Sequence, residues 1–200
     1  MQCPGPKHVA ALKRLLRYLA GTVDAHLLYD FSSTPARKGV YGYFDASHAD
    51  DVDTRRSTLG SIFFYEGCPI FWSSKMNTYV TTATNHSEYC ASARAAKIAA
   101  WLNKLFPAMD MHDAVGPIHL FSDSQGAIAM NYNPVNRAAS RHVDLADHYA
   151  RELLARGIIS ITYVGTKQQL ADFLTKNLPR AEFRRQLEYI LSFQHFQAAA

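Results

Sequence analysis

Apolar residues recur along this chain with two different periods, and the change of period marks its elements. Leu12, Leu15, Leu16 and Leu19 recur at helical spacing between Pro6 and Gly21, which predicts an amphipathic helix over residues 7–20. Lys13, Arg14 and Arg17 fall on its other side. Residues 26–31 predict a short strand, and residues 32–38, with Pro35, a linker. From residue 39 to 83 the period shortens to two. In Tyr41-Gly42-Tyr43-Phe44-Asp45 the tyrosines share a face with Asp45, and Val40, Gly42 and Phe44 take the other. Residues 58–65 predict a second strand, 66–69 a tight turn and 70–74 a third strand. Aromatic and β-branched enrichment with close Gly/Pro punctuation predicts antiparallel pairing of the three.

Helical spacing returns over residues 85–105, with Ala91, Ala95, Ile98 and Leu102 on one face and Thr84, Asn85 and Ser87 as candidate caps. Residues 107–116 read as a loop, and 117–122 as a buried strand that ends at Asp123. A helix follows over 125–131, broken at Asn133-Pro134; another over 138–156 stops at Gly157. Then come a strand over 158–164, a short helix over 168–176 and a basic helix over 180–193. This order predicts a mixed α/β sheet with helices packed on it. The chain divides into a basic amphipathic helix and linker (1–38), a central domain (39–178) and a C-terminal helix and tail (179–200).

Composition narrows the class without deciding it. The 200 residues are 48% hydrophobic and 19% charged, as in ordinary globular domains. A net charge of +4 permits a polyanionic partner without requiring one. Three dispersed cysteines, Cys3, Cys68 and Cys90, form no Cys-x-x-Cys pair and suit a reducing compartment. Nine histidines come without a zinc-ligand spacing. No apolar run has the roughly 20 residues of a membrane span, so the expectation is an intracellular protein, of cytoplasm or nucleus, with no membrane partner.

The candidate chemistry lies in four acids at element ends: Asp45, Glu88, Asp123 and Asp172. A carboxylate at the end of so apolar a strand as Tyr41–Asp45 is costly unless something pairs with it. Four gathered together repel each other unless cations neutralise them. Oxygen-only ligands select hard ions such as Mg²⁺ or Mn²⁺. Such a set points to metal-dependent phosphodiester hydrolysis.

These acids sit in recognisable blocks. Gly42-Tyr43-Phe44-Asp45-Ala46 with Asp53-Thr54-Arg55-Arg56-Ser57-Thr58 resembles the opening of the ribonuclease H domain of copia-type LTR retrotransposon polyproteins. Ser87-Glu88-Tyr89 resembles that family's Ala-Glu-Tyr, and Ser122-Asp123-Ser124-Gln125-Gly126-Ala127 its Cys-Asp-Asn-Gln-Ser-Ala. Arg141-His142-Val143-Asp144 is similar to its Lys-His-Ile-Asp. Tyr163 to Asp172, followed by Phe173-Leu174-Thr175-Lys176, is similar to its Tyr-Val-x-Thr-x-x-Gln-Leu-Ala-Asp block. The resemblance is collinear from about Lys7 to Phe193, and its first helix is similar to the segment joining reverse transcriptase to ribonuclease H.

The resemblance implies an α/β ribonuclease H-like fold, a five-stranded mixed sheet of three antiparallel and then two parallel strands. It implies cleavage of the RNA strand of RNA–DNA hybrids by two Mg²⁺ ions, for which Mn²⁺ can substitute, at Asp45, Glu88, Asp123 and Asp172. Asn85, Ser124 and Gln125 are the implied contacts to the hybrid. A reverse-transcriptase domain, or a second copy through the N-terminal helix, is the implied protein partner, although that helix is expected to fold back onto its own domain. The chain departs from the family at Ser47-His48 and His86, neither of them an implied metal ligand. It also offers Lys167, rather than a histidine, before the last acidic block, and His142 reads as a packed helix residue. The alternatives are a catalytically silent, domesticated nucleic-acid-binding or interaction module, and another nuclease of the same broad fold.

Overall fold

Strand β1 (Val40–Ser47) lies in the middle of the sheet, and its alternation decides where both cores form. The computed structural model describes residues 4–27, 29, 37–111, 116–133 and 148–190. Strands β2 (Thr58–Tyr65) and β3 (Cys68–Met76) continue from β1 as an antiparallel meander. Its second turn is two residues, Glu66 and Gly67, both at positive φ (48° and 83°). That is the backbone a tight hairpin needs to match strand twist, and glycine takes it without strain. Strands β4 (Ile118–Ser122) and β5 (Ile159–Tyr163) add in parallel on the other side of β1. The sheet thus has five strands in the order β3-β2-β1-β4-β5, the mixed pattern the sequence predicts.

One face of the sheet is covered by helix α2 (Thr84–Ala108). Phe44, Phe63, Leu120 and Ile161 meet Ala91, Ala95, Ala96, Ala99 and Leu102 there, all buried. Alanines along one helix face let its backbone approach the sheet closely. Helices α3 (Gln125–Tyr132) and α4 (Tyr149–Ala155) complete this layer. On the opposite face Tyr41, Tyr43, Phe64 and Phe121 form an aromatic cluster with Leu170, Ala171 and Ile190. Tyr41 stacks on Phe64 with ring centroids 5.3 Å apart.

Several expected boundaries move. β1 runs two residues past Asp45, because Ala46 and Ser47 pair with Leu59 and Thr58; Asp45 therefore sits inside the strand, not at its end. Helix α2 carries on through Pro107 in its last turn, where the expected loop had begun. The short helix expected over 168–176 is instead two 3-10 turns, Thr166–Gln168 and Asp172–Leu174. The buried side chain of Gln169 sits between them, bonded to Phe44 C=O of β1 and to the Ala171 N–H. Helix α5 (Arg180–Glu188) follows. The strand expected over 26–31 falls partly outside the described residues, and the first part of the helix expected over 138–156, with His142, lies wholly outside them.

The first helix, α1 (Pro6–Ala20), forms as expected but buries none of its residues. Leu12, Leu15, Leu16 and Leu19 are 44–55% exposed. Its ring contact with α5 is Tyr18 against Phe183 at 6.3 Å. The leucine stripe does not pack on the domain as expected, so the several kcal/mol that its burial offers is not realised among the described residues.

Candidate active site

Each of the four acids reaches the same edge of the sheet from a different element. Asp45 comes from β1 and is fully buried. Glu88 comes from the second turn of α2, also buried. Its neighbour Ser87 fixes that turn: the Ser87 hydroxyl donates to Thr84 C=O at 2.8 Å and lies 3.4 Å from His48 Nδ1. Asp123 follows β4 and is half-buried. The turn carrying it is set on both sides: Ser124 N–H donates to Ser122 Oγ at 3.1 Å, and Ser124 Oγ caps α3 by accepting from Ala127 N–H. One carboxylate oxygen from each of Asp45, Glu88 and Asp123 lies within 4.8 Å of the others.

Asp172 arrives differently. It is buried at the start of a 3-10 turn that two fully buried glutamines hold in place. Gln169 Nε2 donates to Phe44 C=O at 3.0 Å, and Gln169 Oε1 accepts from Ala171 N–H. Gln186 Oε1 accepts from Phe173 N–H. Asp172 is not part of the three-carboxylate group. Lys176 joins it to that group: its Nζ donates to Asp172 Oδ1 at 2.8 Å and to Asp45 Oδ1 at 3.0 Å. The Thr175 hydroxyl donates to the other Asp45 oxygen, Oδ2. The arrangement is therefore three acids together, and a fourth bridged to them by an ammonium.

Electrostatics follow from this crowding. Burial, and then the charges of Asp45 and Asp123, push the Glu88 carboxyl up to about 9. Burial raises Asp172 to about 6, against the hydrogen bond from Lys176 that favours its charge. For Lys176 burial opposes the charge, but Asp45 and the hydrogen bonds to both acids outweigh it and hold the ammonium above the ordinary lysine range. Glu88 Oε2 is buried and has no hydrogen-bond partner among the described residues. Leaving such an oxygen unmatched is costly, and its two neighbouring carboxylates make it fit a hard cation rather than a donor side chain.

The expected substrate contacts fall together. Asn85 is exposed at the start of α2, and its amide lies against Gly126; a Cβ there would come 2.5 Å from Asn85 Oδ1. Ser124 and exposed Gln125 immediately precede that glycine. The Asn85, Ser124 and Gln125 positions thus form one strip beside Asp123. Lys176, Thr175 and Gln169 were not among the expected site residues. Lys176 carried a legible signal, since a lysine four residues after Asp172 has the spacing of an ion pair. Gln169 had none beyond being polar within an apolar block.

Two comparisons bear on the whole chain. It is 33% identical over 183 residues to the retrovirus-related Pol polyprotein from transposon TNT 1-94 of Nicotiana tabacum, a match covering 92% of this chain and 13% of that one. It is 34% identical over 184 residues to the Pol polyprotein from transposon RE2 of Arabidopsis thaliana, covering 92% of this chain and 12% of that one. Its homologues are copia-type Pol polyproteins of plant transposons. It spans about one eighth of the length of these polyproteins. Among solved structures, LC11-RNase H1, isolated from compost, matches with a TM-score of 0.48 and 15% identity over 70% of this chain and 94% of that one. No family model matches. Both blocks that frame the site, the one around Asp45 and the one ending at Lys176, fall in the described residues. Among those residues, no helix is long and apolar enough to cross a membrane.

Proposed function

We propose that this chain is an endoribonuclease that cleaves the RNA strand of RNA–DNA hybrids with divalent cations. The observation that carries the reading is the unpartnered buried oxygen of Glu88, set within 4.8 Å of the Asp45 and Asp123 carboxylates. Asp45, Glu88 and Asp123 would hold one ion, and Asp45 with Asp172 a second; oxygen-only donors suit Mg²⁺, with Mn²⁺ substituting. When bound, such ions supply the Lewis acidity that activates water and stabilises the leaving oxygen in phosphodiester hydrolysis.

The protein's own residues do the rest. The sheet holds Asp45 within β1, and Asp123 directly follows β4, the parallel neighbour of β1, in a turn that Ser122 and Ser124 set. Asn85, Ser124 and Gln125 present amides and a hydroxyl beside the acids, the chemistry that reads 2′-hydroxyls in a wide minor groove and so tells RNA from DNA. The buried thiols Cys68 and Cys90 accord with a reducing, intracellular setting in cytoplasm or nucleus.

The test is cleavage of end-labelled RNA–DNA hybrid beside RNA–RNA and DNA–DNA duplexes, with Mg²⁺, Mn²⁺ or chelator. The expected result is cutting of the hybrid's RNA strand alone, abolished by chelator. A folded sample that cuts no RNA with either ion overturns the enzyme reading and leaves a silent binding module.

A further inference from the structure

The ammonium of Lys176 lies between two of the four acids, and nothing in a simple metal-dependent hydrolase requires it there. Its reach is short and direct, 2.8 Å to Asp172 Oδ1 and 3.0 Å to Asp45 Oδ1. The two carboxylates have little alternative. The side chain of Asp45 is 0% exposed and that of Asp172 8%, so neither can turn to water for solvation. Lys176 can, since 38% of its own side chain is exposed. Its backbone is anchored, with N–H donating to Asp172 C=O at 2.8 Å. What can move is the four-carbon stem.

We propose that Lys176 is a resident cation of this site: its ammonium competes with a second divalent ion for Asp45 and Asp172. That ion then binds only by displacing it. The inference rests on the divalent-metal reading of the site and adds an order of events to it. Asp172 is not one of the three grouped carboxylates of Asp45, Glu88 and Asp123, so a first ion can enter that group while Lys176 stays on Asp172. A carboxylate oxygen keeps further lone pairs after accepting one hydrogen bond, so Asp45 serves the first ion while still bonded to Lys176. The second position lies between Asp45 and Asp172, where the positive charge is already supplied. A divalent ion gains that position only to the extent that its attraction exceeds that of the ammonium it displaces. Exposure of the Lys176 stem gives the displaced ammonium a path into water. The protein would thereby keep Asp172 and Asp45 neutralised and ordered whether one ion or two are bound.

The experiment is a calorimetric titration of the full chain with Mn²⁺ after chelator treatment, comparing wild type, Lys176→Gln and Lys176→Arg. Melting temperatures are recorded beside it. The expected wild-type result is one tight ion and a second, much weaker one. In Lys176→Gln the second ion tightens by at least about tenfold, the metal-free melting temperature falls, and Mn²⁺ restores it. Lys176→Arg, which keeps the charge, retains the weak second step. On the wild-type chain, the side-chain amine resonance of Lys176 should shift with the second Mg²⁺ step and not the first, which tests the idea even if Lys176→Gln does not fold. A second ion whose affinity is unchanged or weaker in Lys176→Gln overturns the inference while leaving the metal site standing. So does a Lys176 resonance that ignores the second step. A chain that binds no ion in any form overturns the metal reading itself, and the inference with it.

Discussion

Gly60 stands directly across the β1–β2 ladder from Asp45, and the side chain it lacks leaves the space that Thr175 fills. A Cβ at Gly60 would lie 2.6 Å from Thr175 Cγ2, 3.0 Å from Leu174 Cβ and 3.3 Å from the Ala171 carbonyl oxygen. The same Thr175 donates its hydroxyl to Asp45. Gly60→Ala should therefore push the whole acidic turn off the sheet. The expected cost is about 1–3 kcal/mol of stability, as for overpacking in a tight interior, with weakened metal binding. Urea unfolding and Mn²⁺ titration check both; an unchanged midpoint and affinity would show that the turn has room to spare.

Stability of the metal-free chain should fall as pH rises. Glu88 has a folded-state value of about 9 against an ordinary 4.5. Below about 4.5 both folded and unfolded states hold the proton, and the fold carries no penalty from this group. Between 4.5 and 9 the unfolded carboxyl ionises and the folded one does not, so stability drops steadily with pH. Asp172 adds the same sign over a narrower window, from 3.8 to about 6. Denaturant unfolding with chelator from pH 4 to 9 should show the decline, and Glu88→Gln should flatten most of it. Divalent cations at pH 8 should reverse the loss, since they bind the folded state alone.

Asp45→Asn and Asp123→Asn should both cut hybrid cleavage by at least about a hundredfold, each removing a ligating charge worth several kcal/mol. Hybrid affinity should survive, because it is expected to rest on contacts other than these two carboxylates. Metal-free stability should separate the two. Relief of repulsion raises it for half-buried Asp123. For Asp45 the change deprives the Lys176 ammonium of a buried partner and lowers it. Equal shifts in both variants would contradict the ion-pair geometry.

Removal of α1, giving a chain that starts at Gly21, should change unfolding free energy by no more than about 0.5 kcal/mol, as for surface changes that bury nothing. The helix has no buried residue. Its exposed leucines should instead make the full chain the more prone to associate, which sedimentation at several concentrations would reveal. A loss of several kcal/mol on removal would mean that the stripe packs on the domain after all.

How much of this was legible in the sequence varies by segment, for physical reasons. β2 appears with its expected limits, Thr58–Tyr65, because alternation and flanking turn residues are local signals. The sharing of faces between Tyr41 and Tyr43, opposite Phe44, was equally readable, since side-chain period in a strand is fixed at two. The turns around Asp172 were not. Their shape is imposed by Gln169 reaching Phe44 and by Gln186 reaching Phe173, contacts that no local pattern encodes. The same holds for Lys176: spacing suggested Asp172, but only the fold brings Asp45 to its other side. The leucine stripe of α1 was read correctly as amphipathic and wrongly as self-buried, because periodicity says that a face is apolar and not what covers it.

The hydrogen bond from Thr175 to Asp45 spans 130 positions of chain, and that from Gln169 to Phe44 spans 125. Contacts so distant along the sequence carry a large loop-closure cost and are intrinsically slow to form. During synthesis, when N-terminal portions emerge first, the sheet can begin to assemble while its acidic corner still lacks Asp172 and Lys176. The complete acidic site is thus withheld from a nascent chain until Lys176 has been made. A cut or premature stop before that block would leave much of the sheet in place and remove this corner.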